Sequence, residues 1–229
     1  MSPRPRSTRE PLADRMYDVL LRQLFAGERG AGSPLNIGAL ARELDVSQTP
    51  LREALARLEH TGLVRREALK GYRVADALTE REVGKLFEAR MVLEPALTLE
   101  AGHRTTPEFL DTLREAVDEL AESATSADDR PDGFQHYWTS DDAFHRLIAA
   151  QSDNPFLEQA FLSLGGQMHR FRLFTKRGHT GVPHAVREHR AICAALEQRK
   201  PERAAELMRR HLTHARTRIL GTKGTARTA

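Results

Sequence analysis

The stretch Asp45-Val46-Ser47-Gln48-Thr49-Pro50-Leu51-Arg52-Glu53-Ala54-Leu55-Ala56-Arg57-Leu58-Glu59-His60-Thr61-Gly62-Leu63-Val64 decides how the rest of the chain is read. It reads as a short turn, a helix and a stop. Ser47 is placed to N-cap the helix, with its hydroxyl taking up a free backbone N–H of the first turn. Pro50 lies in that first turn, where a missing N–H costs little. Leu51, Leu55 and Leu58 recur at i, i+4 and i+7 and give one buried stripe. Gly62 ends the helix just past His60. The other face presents Gln48, Thr49, Arg52 and Glu53 near the N-terminal end. An apolar back and a short polar front are what a helix needs to reach base edges in a major groove.

Working outward, Leu12, Met16, Val19, Leu20 and Leu24 fall at helical spacing and predict a first helix over 10–26. Gly27, Gly30, Gly32, Ser33 and Pro34 break that pattern. Ile37, Leu40 and Leu44 support a short second helix. After Gly62, the apolar pairs Leu63-Val64 and Tyr72/Val74 flank a charged turn ending at Gly71, which reads as a β-hairpin. Together, residues 10–76 make a winged helix-turn-helix with the hairpin as its wing. Arg65, Arg66, Lys70 and Arg73 are then placed to touch phosphates, with Gly71 letting the backbone approach closely. The same charges would also suit a solvated turn. Residues 1–9 read as a disordered basic arm.

Bulk numbers narrow the class. The 229 residues are 40% hydrophobic and 29% charged, an ordinary globular balance. No stretch approaches the length of a membrane span, and Met1 to Glu10 is basic without an apolar core, so it is not a secretory signal. Cys193 is the single cysteine. It excludes an intramolecular disulfide and points to a reducing, cytoplasmic location. Residues 1–77 hold 13 Lys and Arg against 10 Asp and Glu, and residues 78–229 hold 22 of each. The basic excess therefore sits in the first third, which favours a nucleic-acid partner there.

From residue 79 to 220 the pattern becomes purely helical. Thr79 followed by Glu82 is a capping box. An apolar helix follows through about Ala101, with Arg90 and Glu94 as an i, i+4 pair. A second helix, Pro107 to about Ser123, is acidic in a spacing that suits an exposed face rather than acid/base chemistry. A third opens at Asp132 or Gly133 and ends near Ser152. A fourth starts at Asn154-Pro155, runs to about Lys176 and is interrupted at Gly165-Gly166, leaving room for something bulky. The fifth spans Pro183 to Arg199 and the sixth Pro201 to about Leu220. The tail, 221–229, reads as disordered. The fold class is mostly α: a winged helix-turn-helix followed by an all-α bundle.

Nine of the ten histidines lie after residue 100. Asp141 and His145, at i, i+4, share one face of one helix. His189 lies beside an apolar run in the fifth helix, and His211 lies among Leu207, Met208 and Leu212 in the sixth. Three helices of a bundle can converge these on one metal, and imidazoles with a carboxylate suit Zn²⁺, Ni²⁺ or Mn²⁺. Ordinary core or surface histidines explain the same pattern. Asp142 points about 100° away on its helix, and His214 is the most plausible substitute ligand.

Val46-Ser47-Gln48-Thr49-Pro50-Leu51-Arg52-Glu53-Ala54-Leu55, then Gly62-Leu63-Val64 and Gly71-Tyr72-Arg73-Val74, resemble the DNA-binding domain of GntR-family transcription regulators. The resemblance implies that Ser47, Thr49, Arg52 and Gly71 contact a double-stranded operator, and Gln48 beside them can hydrogen-bond a base edge. Gln48 stands where the family often carries Arg, and Gly38 where some members carry a basic residue. These departures predict an altered half-site preference. Asp141-Asp142-Ala143-Phe144-His145-Arg146-Leu147-Ile148, Asn154-Pro155, Glu188-His189-Arg190 and Arg210-His211-Leu212 are similar to the effector domain of the FadR subfamily, the FCD domain. That likeness implies a divalent metal, Zn²⁺ before Ni²⁺ or Mn²⁺, held by Asp141, His145, His189 and His211. It also implies a small carboxylic acid effector, with Arg90 pointing into its cavity; the alternative for Arg90 is an internal pair with Glu94. Trp138, Phe144 and Phe171 are candidates to line that cavity.

The expected function is a homodimeric, ligand-responsive regulator on a pseudo-palindromic operator, with no membrane partner and no enzymatic activity. One rival is a metal-dependent, hydrolase-like enzyme in which His₃Asp activates water; H-E-x-x-H, P-loop and nucleophile-elbow motifs are all missing. Another is a regulator whose metal is purely structural.

Overall fold

The computed structural model describes residues 11–126, 133–175 and 182–221. The expected arm at 1–9, Asp132 as a helix start, Lys176 as a helix end and the tail beyond Gly221 lie outside them. The chain divides into two units after Asp76.

In the first unit, α1 (Leu12–Phe25) buries Met16, Leu20, Leu21 and Leu24 on one stripe. A two-residue strand, β1 (Pro34–Leu35), follows the glycine-rich turn. It was not expected, because two residues give no alternation to read. In α2 (Ile37–Glu43), Asn36 caps the start, its side-chain oxygen accepting the Ala39 N–H at 2.9 Å. Asp45, at φ 49°, turns the chain into α3 (Gln48–His60). Leu51, Ala54, Leu55 and Leu58 on α3 are fully enclosed. Ser47 occupies the N-cap with extended backbone, but its hydroxyl makes no capping hydrogen bond, contrary to the expectation. Gly62, at φ 74°, takes the left-handed turn after α3 at no steric cost. β2 (Val64–Glu67) and β3 (Gly71–Val74) pair antiparallel, Val64 opposite Val74 and Glu67 opposite Gly71, and β1 adds to the far side of β3. This is a winged helix-turn-helix.

The second unit is helical throughout its described residues: α4 (Glu80–His103), α5 (Pro107–Ser126), α6 (Gly133–Gln151), α7 (Pro155–Thr175), α8 (Val182–Glu197) and α9 (Pro201–Gly221). The capping box at α4 forms: the Thr79 hydroxyl accepts the Glu82 N–H and Glu82 accepts the Thr79 N–H. α4 runs on through a buried Pro95 despite the donor it removes. The acidic residues of α5 are exposed, while Phe109, Leu113, Val117 and Leu120 enter the core. Phe144 and Ile148 of α6, Val186 and Ile192 of α8, and Leu207, Met208 and Leu212 of α9 complete that core. α7 is continuous across Gly165-Gly166, so the expected interruption is absent. Little room is left beside Gly165 on one side, where a Cβ would come within 3.3 Å of the Arg146 guanidinium. Among the described residues, no helix is long and apolar enough to cross a membrane.

Candidate metal centre and DNA-facing surface

Three helices each place polar groups on a stripe that is otherwise apolar. On α6, Asp141 and His145 are one turn apart, flanked by Phe144 and Ile148; His189 on α8 lies between Val186 and Ile192; His211 on α9 lies between Met208 and Leu212. All four are buried, with His189 fully enclosed. One ligand atom from each can be chosen so that all lie within 4.8 Å of one another. His189 Nε2 is 3.3 Å from His211 Nε2 and 3.7 Å from Asp141 Oδ1. The ring of His145 is centred 5.2 Å from that of His189 and 5.4 Å from that of His211.

The donor set fits a divalent ion. Four tetrahedral donors at ~2.1 Å from an ion lie about 3.4 Å apart, so the widest pair, within 4.8 Å here, has to close by roughly 1.4 Å. His145 Nε2 is buried and accepts or donates no hydrogen bond, a costly state that a cation relieves. Burial, reinforced by the nearby His211, pushes the pKa of His189 well below its ordinary value. Burial likewise lowers that of His211, against the opposing pull of its hydrogen bond to Glu188. Both rings are thus neutral at neutral pH, the form that binds a metal.

Two carboxylates that sequence reasoning did not place here surround the cluster. Glu94 Oε2 is 2.7 Å from His145 Nδ1, and the same carboxylate takes two hydrogen bonds from Arg90. Burial disfavours its charged form, but Arg90 and His145 outweigh that and hold its pKa at about 2. Glu188 accepts from His211 Nδ1 at 2.8 Å and from His214 Nδ1 at 2.8 Å. Burial opposes its charge too, yet the hydrogen bonds from His211 and Arg218 hold it well below the usual carboxylate range. His214 is half exposed and is spent on Glu188, so it is no substitute ligand in this arrangement. Asp142 pairs with Arg146 rather than joining the cluster.

Arg90 therefore makes the internal pair with Glu94 and also lines a small cavity with Asp142, His145, Phe161, Leu164, Gly165 and Met168. Of the aromatics expected there, Phe144 and Phe171 pack elsewhere. Phe144 stacks on His189, centroids 3.9 Å apart and planes within 7°. Phe171 packs with Val83, Leu86 and Phe87. Phe161 is the ring that reaches the cavity, and one aromatic on a helix among several gave no signal for it. The cavity holds about 10 Å³, room for a single water.

In the first unit, Ser47, Gln48, Thr49 and Arg52 are all exposed around the start of α3, and Arg52 Nη2 is 3.3 Å from Gln48 Oε1. Gly71 has φ 87° and open space around it, so a side chain there would be strained but not crowded. Of the hairpin cations, Arg73 turns inward to the Gly32 carbonyl and Arg65 pairs with Glu67 and Asp76. Arg66 and Lys70 are exposed beside the tip, where Leu69 has φ 64°.

A winged helix-turn-helix followed along the chain by an all-helical unit is the architecture of a DNA-binding regulator. Models of two families match: "Bacterial regulatory proteins, gntR family" over residues 12–74 and "FCD domain" over residues 85–214. The chain is 29% identical to the uncharacterized HTH-type transcriptional regulator YcbG of Bacillus subtilis, over 93% of this chain and 91% of that protein. It is 30% identical to the Nta operon transcriptional regulator of Aminobacter aminovorans, over 79% of this chain and 81% of that protein. The solved structure of E. coli McbR/YncC shares the fold, with a TM-score of 0.70 at 21% identity, covering 90% of this chain and 96% of that one. The chain belongs to the GntR family of transcription regulators and carries an FCD domain.

Proposed function

We propose that this regulator senses a small carboxylic acid through a divalent metal held by Asp141, His145, His189 and His211, with Zn²⁺ ranked before Ni²⁺ or Mn²⁺. The observation that carries this reading is the convergence of one carboxylate and three imidazoles from three helices beside a cavity edged by Arg90. A bound ion supplies positive charge, and where its coordination expands beyond the four protein ligands it has a position open to a carboxylate. Arg90 adds a guanidinium at the cavity wall, already held by Glu94. A cavity with room for one water does not admit an organic acid as it stands. Entry needs Met168 and the neighbouring turn of α7 to give way, and a flexible thioether suits that. The acid then binds an opened arrangement better than the closed one and shifts the balance between them. At the output end, Ser47, Gln48, Thr49, Arg52 and Gly71 face a pseudo-palindromic operator, read by a homodimer in the cytoplasm.

Thermal unfolding of the metal-stripped protein, with Zn²⁺ and then acetate or citrate added, tests this. The acid should raise Tm only after Zn²⁺, and His189→Ala should abolish that increment. An acid response that survives in His189→Ala would mean the metal is structural. An acid response that needs no metal at all would sink the proposal.

A further inference from the structure

We propose that Glu188 is the positioning residue of the metal centre: it fixes the tautomer of His211 so that a bare Nε2 faces the ion. This rests on reading the four-residue cluster as a metal centre. Glu188 precedes His189 on α8, so its side chain leaves the helix about 100° away from the cluster and reaches α9. Its Oε2 is 2.8 Å from His211 Nδ1. The opposite nitrogen of that ring, Nε2, is the one 3.3 Å from His189 Nε2. An ionised carboxylate only accepts hydrogen bonds, so the proton sits on Nδ1 and the Nε2 lone pair is left toward the cluster. The other tautomer would aim an N–H at the ion's place.

Glu188 is itself held from three points. His214 Nδ1 donates to Oε1 at 2.8 Å, and Arg218 forks onto both oxygens, each at 3.0 Å. His211, His214 and Arg218 fall at i, i+3 and i+7 of α9 and so share one face. A carboxylate clamped this way cannot swing in as a ligand or turn away from the ring. The other two imidazoles are held differently. His145 lies against Glu94, whose charge is shared with Arg90. His189 Nδ1 has no hydrogen-bond partner, and its ring is set by stacking on Phe144. His211 thus takes its orientation from a carboxylate that His214 and Arg218 hold in place, and removing such a partner typically weakens metal binding about 10–100-fold.

The test uses the full chain, stripped of metal, with ¹⁵N-labelled histidine. Ring-nitrogen NMR near neutral pH should give His211 with its proton on Nδ1 in the wild type and a mixture of tautomers in Glu188→Ala; His211→Gln assigns the signal. Competition of Zn²⁺ with a chromophoric chelator should give an affinity about 10–100-fold weaker for Glu188→Ala. Glu188→Gln, which keeps the shape and one accepting oxygen, should fall between the two, and it carries the test if the alanine variant does not fold. Wild-type affinity or an unchanged His211 tautomer in a folded variant overturns the positioning role alone. A wild-type chain that takes up no Zn²⁺ overturns the metal centre and this proposal with it.

Discussion

Arg52 and Gln48 stand one turn apart on the exposed face of α3, and their side chains touch each other rather than any acid. Nothing in the unit's core depends on Arg52, whereas Leu51 and Leu55 on the other face are fully enclosed. Arg52→Ala should therefore weaken binding to an operator duplex by about 1–3 kcal/mol and leave thermal stability unchanged. Fluorescence anisotropy at fixed salt checks this, and an unchanged titration would remove Arg52 from the interface. Cys193 gives a second prediction at this scale. Burial pushes its thiol up to about 12, so almost no thiolate exists at pH 8. A thiol reagent should label it slowly in native protein and fast after denaturation; equal rates would contradict the burial. Single-residue roles were partly readable in the sequence. The i, i+4 spacing of Arg90 and Glu94 announced their pair. It said nothing of Glu94 touching His145, because that contact joins two helices far apart along the chain.

α4 and the start of α9 come very close at Gly102, where a Cβ would lie 2.6 Å from Pro201 Cβ and 2.9 Å from its Cα. Backbone cannot yield as a side-chain tip can. Gly102→Ala should therefore cost about 1–3 kcal/mol, read as a lower denaturation midpoint, despite alanine's better helix propensity. A midpoint equal to or above wild type would refute the close approach. The elements were legible where periodicity was long. The stripes of α1 and α3 and the Thr79 capping box are local signals, and the chain obeys them. β1 was not legible, since two residues carry no period and their pairing is decided by β3. The continuity of α7 ran against propensity: a buried Gly165 facing Arg146 shows packing outweighing the glycine cost.

For the whole molecule, the buried cluster makes stability depend on pH. In the metal-free chain, His189 and His211 have pKa values below the ordinary 6.5. As pH falls through that value, the unfolded chain takes up protons that the folded one does not, so stability drops. Glu94 moves from 4.5 to about 2 on folding. Its contribution is present above about 4.5 and is lost as pH falls toward 2. Urea midpoints between pH 8 and 3 should thus decline in two stages, and a flat profile from 8 to 5 would contradict the histidine burial. On the proposed reading Zn²⁺ binds the folded chain, and it should then raise the neutral-pH midpoint by mass action. The sequence alone put Asp141 and His145 on one helix face. That His189 and His211 meet them follows only from how α8 and α9 pack, which no local pattern encodes; the family likeness supplied that expectation. The most direct measurement is metal content by elemental analysis, after Zn²⁺ loading and gel filtration, of wild type, His189→Ala and Asp141→Ala. One ion per chain in the wild type, lost in both folded variants, is the expected result; a wild type without metal, or variants that retain it, would contradict the centre.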